Sequence, residues 1–82
     1  MHEFSLAQQL VKMVQDCLPS GGGQRVRVAR LQLGELSDVT PGALAAGFDL
    51  ASIGTPIEGV QLEIEMSAGN ELRLVALELV EK

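Results

Sequence analysis

The chain is nearly without aromatic side chains: two Phe, no Trp and no Tyr in 82 residues. It has one cysteine, Cys17, one histidine, His2, and 6 basic side chains against 11 acidic ones. Each shortage removes a class of function. A single thiol makes neither an internal disulfide nor a cysteine-rich zinc site, and a reducing cytoplasm is the expected compartment. A net charge of -5 argues against nucleic acid or an anionic membrane as partner, since both need a basic patch. No apolar run approaches the ~20 residues of a membrane span. The opening Met1-His2-Glu3 has neither the basic nor the apolar region of a secretory signal.

What is present is aliphatic and periodic. Hydrophobic residues make up 46% of the chain, enough for one small domain. Ser5-Leu6-Ala7-Gln8 fits a capping box, after which Ala7, Leu10, Val11, Val14, Cys17 and Leu18 recur at helical spacing. Cys17 is thereby expected in the core. Pro19-Ser20-Gly21-Gly22-Gly23 ends the helix. Arg25 to Leu33 reads as a strand whose apolar phase slips by one, from Val26 and Val28 to Leu31 and Leu33. Either a bulge near Ala29-Arg30 corrects the slip or both faces are partly covered.

After the loop Gly34 to Val39, Thr40-Pro41 caps and opens a second helix. Its stripe is Leu44, Gly47, Phe48 and Ala51, and Gly54 stands where a left-handed cap would. Val60, Leu62, Ile64 and Met66 alternate with polar residues as a strand. Ser67 to Asn70 is a turn, and Leu72 to Val80 a last strand with a second phase shift. The expected fold class is α/β: a small three-stranded mixed sheet with two helices packed on one face, in the order helix-strand-helix-strand-strand. The last two strands are expected to form a hairpin that sets Glu65 opposite Arg73. Leu10, Val14, Val28, Leu44, Phe48, Leu62, Ile64 and Leu74 are the expected core. The opposite sheet face, with its doubled apolar residues, is the expected docking surface. Two open sheet edges predict a weak homodimer.

Chemistry concentrates at the start of the chain. The Met1 amine, the His2 backbone nitrogen and His2 Nδ1 form fused chelate rings of five and six atoms. They occupy three corners of a square plane, the geometry of Ni(II) and Cu(II) nitrogen sites. Glu3 adds a backbone nitrogen and a carboxylate. The plain alternative is a frayed terminus with an exposed imidazole. Glu35 and Asp38 form a carboxylate pair with no base or nucleophile nearby in sequence. Gly21-Gly22-Gly23 lacks the Lys-Ser/Thr of a phosphate loop. Arg25, Arg27 and Arg30 alternate along the wet side of a strand.

Met1-His2-Glu3-Phe4-Ser5-Leu6 resembles the opening of the HypA family, nickel metallochaperones of NiFe-hydrogenase maturation. The likeness continues in Arg30-Leu31-Gln32-Leu33-Gly34-Glu35-Leu36-Ser37, in Gly54-Thr55-Pro56-Ile57-Glu58-Gly59, and in Leu62-Glu63-Ile64-Glu65. It resumes from Asn70-Glu71-Leu72-Arg73 to Leu77-Glu78-Leu79. The resemblance implies a metallochaperone rather than an enzyme, with Met1, His2 and Glu3 as nickel ligands and Asp38 as a weaker contributor. It implies Ni(II) as cargo, a HypB-type GTPase and the hydrogenase large subunit as partners. Family members carry a zinc ribbon of two Cys-x-x-Cys pairs between the last two strands. Here Met66 runs through Ser67-Ala68-Gly69-Asn70 into Glu71. Residues 1–82 are therefore expected to be a single nickel-binding domain without zinc, with the turn 67–70 at the place of the ribbon. Some members carry an acidic residue where this chain has Thr40. The competing reading is a metal-free interaction module that uses the open sheet face. A third is a small enzyme built on Glu35 and Asp38.

Overall fold

A computed structural model describes residues 3–18 and 22–81. Helix α1 spans Glu3–Asp16, strand β1 Gln24–Gly34, a 3-10 turn Glu35–Ser37, helix α2 Pro41–Ala51, strand β2 Gln61–Ser67 and strand β3 Leu72–Glu81. Among the described residues this is the expected α/β class and order. Ala7, Leu10, Val11 and Val14 of α1 are buried with Leu44 and Phe48 of α2 against Val26, Ala29, Leu31 and Leu33 of β1. Thr40 caps α2: its Oγ1 accepts the Ala43 N–H at 3.3 Å, and Pro41 holds the first helical position.

The sequence reading needs correction at both ends of α1. Glu3 is already helical, so Ser5 lies inside α1 and is not the cap. At the other end Cys17 is exposed, not in the core. The Cys17 N–H donates to the Val14 carbonyl and the Leu18 N–H to that of Gln15, both at 3.1 Å. This three-residue step tightens the last turn. Cys17 thereby leaves the apolar stripe, while Leu18 packs against the core.

The larger correction concerns the sheet. Its strand order is β2-β1-β3, with β1 parallel to β2 and antiparallel to β3. Strands β2 and β3 do not pair, so there is no terminal hairpin and no Glu65–Arg73 pair. Gln32 lies between them in register, opposite Glu65 on one side and Arg73 on the other. The connection after Ser67 is an arch over the end of the central strand. It crosses two inter-strand spacings, about 10 Å, a distance that a few extended residues cover. The arch is pinned to what it crosses. The Gly34 N–H donates to the Glu71 carbonyl at 2.9 Å and the Leu36 N–H to that of Gly69 at 2.8 Å.

Both phase slips are bulges. Val26 faces Leu79 and Val28 faces Glu78, which leaves Arg27 extra in β1. Arg30 faces Ala76 and Leu31 faces Leu74, which leaves Val75 extra in β3. Each extra residue returns the following apolar side chains to the helical side. Leu72, Leu74 and Leu77 of β3, with Leu62 and Ile64 of β2, pack half-buried against the core. The far face is polar. Arg30 Nε donates to Glu63 Oε1 at 2.8 Å, Gln32 Nε2 to Glu65 Oε1 at 3.2 Å, and Arg27 Nε lies 3.5 Å from Glu78 Oε2. The hydrogen bond to Glu63, then its charge, holds the Arg30 guanidinium above its ordinary pKa. Val28 is buried outside the main cluster, and Val75 is exposed. The expected doubling of apolar residues on this face is not there.

Candidate metal centre

Glu35 and Asp38 follow β1 at the end of the sheet where β1 and β2 finish. Leu6 of α1 shares a cleft of about 240 Å³ with Leu33, Leu36, Ser37, Val39, Asn70 and Leu72. The first turn of α1, the 3-10 turn and the arch therefore meet at one end of the molecule. The cleft walls are mainly aliphatic, and none of these lining residues is titratable.

Met1 and His2 lie outside the described residues. Glu3 is the first described residue of α1. Asp38 follows the 3-10 turn in left-handed conformation, φ 61° and ψ 16°, and is exposed. Glu35, the first residue of that turn, is exposed as well. The fold thus brings the loop of Glu35 and Asp38 to the same end as the start of α1. Among the described residues, no three His, Cys, Asp or Glu side chains cluster as a metal site. Cys17 follows the far end of α1, about 20 Å from Glu3 at 1.5 Å per residue.

One group went unnoticed in the sequence. The Ser37 Oγ is shut off from solvent and has no hydrogen-bond partner among the described residues. Nothing in the local pattern distinguishes this serine from the exposed polar residues around it. It shares its cleft with Leu6 of α1 and with Asn70 of the arch.

A family model described as hydrogenase/urease nickel incorporation, metallochaperone, HypA, matches residues 1–78. The hydrogenase maturation factor HypA of Roseiflexus sp. (strain RS-1) is 49% identical over 65 residues, which are 79% of this chain and 53% of that protein. That of Ignicoccus hospitalis is 43% identical over 68 residues, 80% of this chain and 49% of that protein. That of Methanopyrus kandleri is 38% identical over 69 residues, 84% of this chain and 49% of that protein. The chain spans about half the length of these curated relatives. The solution structure of the Ni metallochaperone HypA from Helicobacter pylori covers 100% of both chains with a TM-score of 0.80 at 15% identity, a likeness of fold.

Proposed function

The chain belongs to the HypA family, a family of metallochaperones and not of enzymes, and from that premise we propose that it binds Ni(II) through its first residues for insertion into a NiFe-hydrogenase. The observation that carries this reading is the reach of the family match, which begins at Met1 and includes the tripeptide Met1-His2-Glu3. The donor set suits the metal: an amine, deprotonated backbone nitrogens and an imidazole favour square-planar Ni(II). Glu3 lies in the first described turn of α1, at the end of the molecule that carries the Glu35–Asp38 loop. Asp38, at the same end of the molecule, is an outer contributor. Residues 1–82 act as the nickel-binding domain, with the arch at the place of the family's zinc ribbon. A HypB-type GTPase and the hydrogenase large subunit are the proposed partners, in the cytoplasm. Among the described residues no helix is long and apolar enough to cross a membrane.

The test is a nickel titration of untagged protein that retains Met1. A 1:1 complex with the d–d absorption of a square-planar amide site is expected. His2→Ala should remove most of the affinity, and one extra residue before Met1 should abolish the complex. Titrations that these two changes leave unaltered would overturn the reading.

A further inference from the structure

Among the described residues β2 is an edge of the sheet, and its own sequence does not guard that edge. Free N–H and C=O groups along an edge template the pairing of another strand, so exposed edges are usually blunted by a bulge, a proline or a lysine. The ladder between β1 and β3 carries two bulges, whereas β2 pairs with β1 without a register shift. Gln61–Ser67 contains neither proline nor lysine.

The two faces of β2 say what an added strand must carry. On the helical side Leu62 and Ile64 are only half-buried, and Met66, next in the alternation, is exposed. A groove of about 580 Å³ lies beside them between α2 and β2, with the exposed Ile53 in its wall. Aliphatic side chains at every second position of an added strand would cover this stripe. On the far side stand Glu63 and Glu65, and Asp49 and Glu58 line the groove. Residues 31–72 hold none of the 6 basic side chains and all of the 11 acidic ones except Glu3, Asp16, Glu78 and Glu81. Arg30 reaches Glu63, but Asp49, Glu58 and Glu65 are in no ion pair among the described residues.

A second copy of the chain does not suit this edge. Two β2 strands paired antiparallel about Ile64 would set Glu63 of each against Glu65 of the other, and like charges directly opposite are destabilising. The charge calls for cations. We propose that the free edge of β2 docks an extended cationic segment of a partner protein, in which aliphatic residues alternate with Lys or Arg. Backbone hydrogen bonds add the segment to the sheet, its aliphatic side chains cover Leu62, Ile64 and the groove, and its cations face Glu63 and Glu65. The inference does not rest on the nickel reading.

The probe is a blocked peptide of alternating Lys and Val, as long as β2. It is titrated into the full chain at low salt and followed by the backbone amide resonances, beside its Glu/Val counterpart. Saturable shifts should centre on residues 61–67, with slowed exchange of the outward N–H groups of β2. The Lys/Val peptide should bind about tenfold more tightly than the Glu/Val peptide, and added salt should narrow the gap. Glu65→Lys, at an exposed position, should weaken the Lys/Val peptide about fivefold and leave the unfolding midpoint unchanged. The shift map and the comparison of the two peptides stand without that variant. Shifts centred on β3 instead of β2, equal affinity for the two peptides, or no shifts at about 1 mM peptide would each overturn the proposal. So would shifts of residues 61–67 that grow with protein concentration in the absence of peptide, since a second copy would then hold the edge.

Discussion

Gly34 is a glycine for a reason that its own backbone does not reveal. Its φ of -68° and ψ of 136° are open to any residue. The constraint is the arch. A Cβ at Gly34 would lie 2.6 Å from the Gly69 carbonyl carbon and 2.7 Å from the Asn70 Cα. Both are backbone atoms of a segment held by two hydrogen bonds, so it cannot yield by rotating a side chain. Gly34→Ala should cost ~1–3 kcal/mol, the range for an overpacked site. Gly42, in the first turn of α2, would meet nothing within 4 Å, so Gly42→Ala should add up to ~1 kcal/mol through helix propensity. Thermal unfolding of the two variants checks both signs, and equal midpoints would refute the account of the arch. The sequence shows two glycines of the same type. Only the long-range approach of residues 69–70 separates them. Thr40 is the opposite case: cap and proline are adjacent, the relevant physics is local, and the reading survives in the structure.

At the scale of elements, the same divide separates what was legible from what was not. Strand and helix existence followed from periodicity, because burying one face imposes a period on each element. Pairing did not follow, because a four-residue connection between two strands looks like a hairpin turn whether or not a third strand passes beneath it. The bulges were half legible. A phase slip in β1 and another in β3 showed that something had to give. The place of the first was misjudged, since Arg27 and not Ala29 or Arg30 is the extra residue. In β3 the side chain of Val75 is exposed at 57%, so it contributes little by contact. Its presence as a residue nevertheless sets which of its neighbours face the helices. Val75→Ala should therefore change stability by no more than about 0.5 kcal/mol. Deleting Val75 should do far more. Either Leu72 and Leu74 or the run from Leu77 onward must then turn to the polar face. Denaturant unfolding should show a large drop in midpoint for the deletion only. A deletion as mild as the alanine variant would mean that the bulge does not hold the register.

At the scale of the whole molecule, the fold gathers distant segments at one end. The first turn of α1, the turn after β1 and the arch before β3 meet there. The tripeptide presents itself as a donor set in the sequence because its nitrogens are consecutive. The burial of the Ser37 hydroxyl does not show there, because its cleft is shared with segments more than 30 residues away in both directions. The metal reading has its sharpest consequence in pH. The ligands must lose protons before they bind: the imidazole with an ordinary pKa of ~6.5, the α-amine of ~8, and the amides with the metal's help. Binding therefore releases protons, and by linkage acid must weaken it. At about pH 8 the imidazole is already neutral and the amine partly so. At about pH 6 both are mostly protonated, and each bound proton has to be displaced. Affinity for Ni(II) should fall by more than one proton per metal between these values, that is, by more than tenfold per pH unit. In His2→Ala the imidazole contribution to this slope disappears along with most of the affinity. The fold of the variant should persist, because among the described residues the buried stripe of α1 starts at Leu6. Circular dichroism and nickel titration across this pH range measure the two effects separately. A flat profile would remove the N-terminal amine and imidazole from the site and place any bound nickel on other donors.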